Sequence, residues 1–300
     1  MGAADLGRLV LLAAVWGLAF VFIRVAVVPL GPFALVEVRV LIAGTALLLY
    51  LRLLGLPLDL RGRWRTYLTL ACLGSALPFV LIASAQQVIT ASFAVILVST
   101  SPLFGALVAA AALGERLTAR RLGGLVLGIA GVALLIGWNP STEPLPPVWA
   151  IACALGAAAL YGIAGVYTRM AVQDMPAIAA AAGSQFAGAM LLLPFVAFAP
   201  PAAMPTALEW ANVVALALVS SAFAFILYFQ LIRNVGPVKT LTVNFLTPLF
   251  GVGGGVLLLG ERVSVNMIAG AAVILAGTAL VLGAAATTAR PPPRTSASSR

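Results

Sequence analysis

The chain has 300 residues, 63% of them hydrophobic and 8% charged, with a net charge of +9 and no histidine. Soluble proteins carry about 25% charged residues, so the composition excludes a water-solvated globule, and the absence of histidine excludes His-ligated zinc, histidine-based triads and histidine proton relays. In so apolar a chain the positive balance points to loops held at a cytoplasmic membrane face rather than to nucleic acid.

Apolar runs of about 20 residues, the length that crosses a bilayer, recur along the chain. In order they cover 6–28, 33–53, 66–85, 90–113, 119–137, 148–168, 177–199, 208–232, 238–259 and 265–285. Each is expected to be helical, because lipid offers an open chain no other backbone partner. The first follows Arg8 and imitates a signal peptide, but it is too long and lacks a clear small-residue cleavage site, so it reads as a retained helix. Proline and glycine supply the punctuation: Pro29 and Pro32, Pro57, Pro140 with the run Pro144 to Pro147, Pro176, Pro200 and Pro201, and Gly236 with Pro237. The loops leave no room for a soluble domain, and the basic Pro/Ser/Arg tail reads as disordered. Cys72 and Cys153 lie inside apolar runs and read as small buried residues rather than a disulfide.

The runs are doubled. Ser101 to Thr118 reads SPLFGALVAAAALGERLT, and Thr247 to Ser264 reads TPLFGVGGGVLLLGERVS. WGLAFVFIRVAV from Trp16 matches YGIAGVYTRMAV from Tyr161, placing Arg24 on Arg169, and Gly124 and Gly131 fall on Gly270 and Gly277. The offset stays near 146 residues, which divides the chain into a five-helix repeat over 1–138, a second over 148–285, and a tail over 286–300. An odd number of spans per half turns the second half upside down, giving an all-α membrane protein of ten transmembrane helices in two inverted five-helix repeats. With the N-terminus in the cytoplasm, Arg8, Arg52, Arg61, Arg63, Arg65, Arg116, Arg120, Arg121, Arg169, Arg233, Arg290, Arg294 and Arg300 lie on or beside the cytoplasmic face. Of the loop cations only Arg262 lies outside, so both termini are expected inside.

The paired Trp/Tyr-Gly motifs, the Pro-Leu-Phe then Leu-Gly-Glu-Arg motif in spans four and nine, and the glycines after each copy resemble the EamA type of the drug/metabolite transporter superfamily. The resemblance runs from about Val10 to Val281. It implies ten helices, alternating access and, in many bacterial members, export of amino acids or other small metabolites. The aromatic amino-acid exporters of that superfamily offer an analogy.

Several residues inside the spans could carry such a function. Arg39 is a charge within span two, expensive in lipid and so a functional candidate by default. It could meet a substrate carboxylate, or be a structural cation capping carbonyls or snorkelling outward. Its position in the second half is held by Gln185, which keeps polarity and loses charge. Arg24 and Glu37 flank the first turn at similar depth. They read either as an ion pair fastening two helices, with charges within about 6 Å, or with Glu37 as a proton-coupling carboxylate. Trp16, Phe20, Phe79, Tyr161, Phe225 and Tyr228 could wall a midplane cavity between spans one, three, four, six, eight and nine, or simply pack. Ser75, Ser99, Ser101, Ser221, Gln230, Asn244 and Thr247 could supply its polar groups, or bond their own helices. Pro102 and Pro248 are either hinges or fixed kinks, and the glycines after Pro248 suggest that span nine bends more readily. Gly124 and Gly128 form a small-residue face, read as packing within the chain rather than a dimer contact. Lys239 is expected to snorkel to the cytoplasmic face.

The expected function is an inner-membrane exporter of amino acids and related metabolites, with a drug or nucleotide-precursor carrier of the same fold as the alternative. An intramembrane enzyme would need a nucleophile, an acid/base pair or a metal site, none of which the sequence offers. A structural or receptor-like protein would need larger extramembrane parts. No cofactor or metal is expected. The partners are a small-molecule substrate and the bilayer, with the chain a monomer or weak dimer.

Overall fold

Between Pro29 and Pro32 only Gly31 can take the backbone conformation that turns the chain back (φ 69°, ψ 169°), and it divides the helical stretch Ala3–Leu53 into α1 (3–30) and α2 (32–53). The structure is a computed structural model that describes residues 2–115, 117–137, 146–172, 174–235 and 240–288. Arg116, Pro140, Pro144, Gly236, Pro237, Lys239 and the tail from Arg290 lie outside the described residues. The turn is clasped from the second half: the carbonyl of Pro29 accepts from the backbone N–H groups of Ala202 (2.9 Å) and Ala203 (3.2 Å).

The remaining elements are α3 (Trp64–Ala85), α4 (Ala91–Leu113), α5 (Ala119–Gly137), α6 (Val148–Ala171), α7 (Ala177–Phe198), α8 (Ala207–Val235), α9 (Val243–Leu259) and α10 (Val265–Thr288). Eight helical stretches among the described residues are long and apolar enough to cross a membrane. Dividing the first at Gly31 and adding the shorter α9 gives the ten spans of an all-α membrane protein. The repeated Leu-Gly-Glu motif has a local cause. Gly114 and Gly260, both at φ 66°, end α4 and α9 in the left-handed conformation that glycine adopts without penalty. At the other end of α4, the Thr90 hydroxyl accepts from the N–H of Phe93 (3.1 Å), and Thr206 with Glu209 forms a capping box that starts α8.

The two halves meet through glycines related by the repeat. A Cβ added to Gly124 of α5 would lie 2.6 Å from the carbonyl oxygen of Gly277 in α10, and one added to Gly270 would lie 2.9 Å from that of Gly131. Because Gly124 corresponds to Gly270 and Gly131 to Gly277, these contacts exchange under the repeat: the two helices run antiparallel about a pseudo-two-fold axis. The same relation holds between α1 and α9, where an added Cβ at Gly17 would lie 2.7 Å from the nitrogen of Gly251, and between α6 and α4, where one at Gly162 would lie 2.6 Å from that of Gly105. The small-residue face of α5 is therefore spent on packing inside the chain, with Gly128 against Leu103. Gly277→Ala is expected to destabilise the protein in detergent by about 1–3 kcal/mol, since a backbone carbonyl cannot step aside. Gly123→Ala, on the same helix as Gly124 but with open space around it, is expected to be neutral or to stabilise by up to about 1 kcal/mol. Thermal unfolding of the two variants checks the contrast.

The two repeat-related prolines sit differently in their helices. α9 runs unbroken through Pro248 from Val243 to Leu259, whereas α4 divides at Ser99 and Thr100, just before Pro102. The hydroxyls of Ser99 and Thr100 donate to the carbonyls of Ile96 and Leu97 (2.6 Å each), competing with the helix's own ladder. The corresponding residues of α9 are Phe245 and Leu246, which offer no competing donor. Ahead of α9, span nine has its own turn at Leu241 and Thr242.

Candidate functional site

Arg39 stands two turns along α2, about 12 Å from Gly31, and only 4% of it is exposed. Its Nε donates to the Ser221 hydroxyl at 2.9 Å, and its guanidinium carbon lies 3.5 Å from the centre of the Phe79 ring. Three elements, α2, α3 and α8, therefore meet at one cation. α8 reaches it because one turn, Leu218–Phe223, is widened to a π-helix. That turn sends two consecutive hydroxyls to different neighbours. Ser220 donates to the carbonyl of Val15 in α1 at 3.1 Å, while Ser221 donates to Leu216 in its own helix at 3.2 Å and accepts from Arg39. Such widened turns recur at functional sites. No carboxylate lies within ion-pair distance of Arg39 among the described residues. The site is a desolvated cation stacked on an aromatic ring with no resident anion, an arrangement that a ligand carboxylate would complete.

The other candidates distribute around this centre. Phe20 and Phe79 belong to the main core, and Tyr161 packs against it. Trp16 and Tyr228, 5.4 Å apart between ring centres, belong to a separate cluster with Leu12 and Leu231. Phe225 lies in a third, against Leu47, Ala181 and Ala182. Ser75 and Ser99 donate to carbonyls of their own helices, Ala71 at 3.3 Å and Ile96 at 2.6 Å, as does Thr247 to Val243 at 2.9 Å. Asn244 is half-buried at the start of α9. The structure is closed over Arg39: Ser221 and Phe79 are buried with it. Two surface grooves lie elsewhere, one of about 390 Å³ between Trp64, Tyr67, Gly183 and Met190, the other of about 250 Å³ beside Leu18, Phe250 and Gly254.

The ion pair expected between Arg24 and Glu37 does not form. Arg24 donates instead to the carbonyls of Gln86 (2.5 Å) and Gln87 (3.1 Å), the C-terminal end of α3, where unpaired carbonyls and the helix dipole favour a cation. Gln86 completes the tie with its side-chain amide on the carbonyl of Phe20 at 2.9 Å. Glu37 is left 6% exposed, its Oε2 without a hydrogen-bond partner.

The glutamates of the two Leu-Gly-Glu motifs, Glu115 and Glu261, find their partners at opposite ends of the bundle. At the Gly31 end of the bundle, Glu261 accepts from the backbone N–H groups of Ala91 (2.7 Å) and Ser92 (2.9 Å) and from the Ser92 hydroxyl (2.5 Å). A residue of the second half thereby caps the start of α4 in the first. At the opposite end Glu115 accepts from Arg121 (2.9 Å) and Arg169 (2.8 Å). Burial raises the pKa of its carboxyl, but the hydrogen bonds from Arg169 and Arg121 outweigh burial and leave it below the ordinary value.

A model of the EamA-like transporter family matches residues 8–137 and again 148–283. The chain is 28% identical to an Escherichia coli K12 protein named as the uncharacterized inner membrane transporter YedA, over 92% of this chain and 90% of that one. It is 26% identical, over 91% of both, to a Streptantibioticus cattleyicolor protein named as a probable terminal-alkyne amino-acid exporter. A solved chain described as "Crystal structure of protein" has the same fold, with a TM-score of 0.68 at 21% identity, covering 97% of this chain and 100% of that one.

Proposed function

The chain belongs to the EamA-like transporter family, and from that premise we propose that it exports amino acids, aromatic and apolar ones included, across the inner membrane by alternating access. The observation that carries the reading is Arg39, a buried cation held by Ser221 and Phe79 and lacking a carboxylate partner among the described residues. It supplies the site for a substrate carboxylate. Phe79, Tyr161 and Phe20 offer an apolar surround for a side chain. A single guanidinium suits one carboxylate better than a multiply charged nucleotide, and so apolar a surround suits a sugar poorly. Selection among side chains would be loose, because one methylene in an apolar pocket changes binding by only about 1–3 kcal/mol. The amino-acid exporter among the relatives agrees with this class.

In this reading the repeats 1–138 and 148–285 rock about the pseudo-two-fold axis, the termini are cytoplasmic, and the break in α4 before Pro102 is the flexible point. Glu37 is the carboxylate that exchanges a proton during the cycle. Its neighbour on α2, Arg39, is engaged by Ser221 and Phe79, and Arg24 by the α3 carbonyls, so among the described residues neither of these cations pairs with it.

Proteoliposomes containing only the purified protein, preloaded with phenylalanine, are expected to take up labelled phenylalanine by counterflow. Leucine and tryptophan should compete, and an imposed pH gradient should change the rate in wild type but not in Glu37→Gln. Counterflow of an unrelated metabolite with no competition by any amino acid would refute the substrate class. A pH response that survives Glu37→Gln would refute the role of Glu37.

A further inference from the structure

Gln185 of α7 is fully buried, and neither its Oε1 nor its Nε2 has a hydrogen-bond partner. Its neighbour Ser184 returns its hydroxyl to the carbonyl of Ala181 at 2.9 Å, but the carboxamide, which can both donate and accept, does neither. A buried amide is ordinarily satisfied, so these two atoms mark a place where a polar partner belongs.

The repeat identifies the place. At the offset of about 146 residues, Arg39 corresponds to Gln185, Ser221 to Ser75 and Phe79 to Phe225. In one constellation Arg39 is bonded to Ser221 and stacked on Phe79. In the other, the matching groups lie against α7 one turn to either side of Gln185. An added Cβ at Gly188, one turn further along α7, would stand 3.8 Å from the Ser75 hydroxyl, and Phe225 packs with Ala181 and Ala182, one turn earlier. Across from Gln185 is Gly44 of α2, where an added Cβ would stand 3.4 Å from that of Gln185. Arg39 and Gln185 are therefore mates about the pseudo-two-fold axis, on the two helices that flank it. One mate is a cation and the other a neutral amide with a vacant acceptor.

We infer that Gln185 is a specificity-determining residue that receives the substrate's ammonium group, so that Arg39 and Gln185 together read the two ends of a zwitterion. The inference rests on the amino-acid reading above. A second arginine at this position would repel an ammonium group, and a carboxylate would be drawn to Arg39 itself. A carboxamide oxygen accepts from an ammonium group without doing either.

The test is competition against labelled phenylalanine counterflow in proteoliposomes by unlabelled phenylalanine and by 3-phenylpropanoate, which lacks only the amino group. Wild type is expected to prefer phenylalanine by about 10-fold or more, the size of one charge-assisted hydrogen bond. Gln185→Leu should bring the two competitors to within about twofold. A preference unchanged in Gln185→Leu, or absent in wild type, overturns the inference while leaving amino-acid transport standing. If wild type carries neither compound, the amino-acid reading itself has failed. Should Gln185→Leu not fold, Gln185→Met, the apolar side chain of nearest length, decides: it must likewise bring the two competitors to within about twofold, and an unchanged preference for phenylalanine overturns the proposal.

Discussion

Arg39→Met is expected to lower amino-acid transport at least 100-fold while leaving the protein as stable as wild type or more so. The two halves of this result have different causes. Each charge-assisted hydrogen bond to a carboxylate contributes about 1.5–3 kcal/mol, and a guanidinium offers two to a carboxylate in one plane. Stability moves the other way because Arg39 is buried without an anion, and replacing a desolvated charge by an apolar side chain of similar length is often neutral or stabilising. A cation whose task was to hold α2 against α8 would show the opposite pattern, with stability falling alongside transport. Arg39→Lys keeps the charge but loses the Nε bond to Ser221 and the flat stack on Phe79. It should fall between the two, at roughly a tenfold loss. Counterflow rates and thermal unfolding of the same preparations check both halves.

Glu261→Ala is expected to cost about 2–4 kcal/mol of stability and to loosen the Gly31 end of the bundle. The carboxylate satisfies the N–H groups of Ala91 and Ser92, both fully buried, and these are left without partners when it is removed. Each orphaned buried donor costs about 1–3 kcal/mol. Glu261 itself is half-exposed, so water can replace part of what is lost and the figure stays toward the lower end. Ser92→Ala removes only the hydroxyl contact at 2.5 Å and should cost about 1 kcal/mol. Hydrogen exchange at the start of α4 should rise in Glu261→Ala and remain near wild type in Glu115→Ala, whose partners Arg121 and Arg169 lie at the opposite end. Equal changes in both variants would show that the capping contact does not hold α4.

The contrast between these two glutamates marks the limit of the sequence. They occupy the same place in the repeat, after the same Leu-Gly, and nothing local separates them. Their partners come from other elements: Glu261 reaches the start of α4, and Glu115 reaches α5 and α6. Arg24 and Glu37 teach the same lesson. Equal depth on either side of a turn made a pair plausible, but depth does not fix azimuth. The guanidinium turned to the open carbonyls at the end of α3, a partner 62 residues away for its shorter bond.

What the sequence determined by itself is what depends on composition and on spacing along one chain. The apolar runs required helices because lipid satisfies no backbone group. Gly31 between two prolines required the first turn. The offset of about 146 residues required a doubled unit, and an odd number of spans required its inversion. Arg39 was legible as a candidate because a charge within an apolar run is costly wherever it points. The tertiary structure decided which side chains share a space. It brought Phe79 of α3 to Arg39 and, through the widened turn of α8, Ser221 as well. It left Trp16 with Tyr228 in another cluster, broke α4 just before Pro102 while carrying α9 on through Pro248, and buried Gln185 without a hydrogen-bond partner. These outcomes depend on how ten helices rotate about their axes and cross at paired glycines, and that rotation is set by contacts between distant parts of the chain.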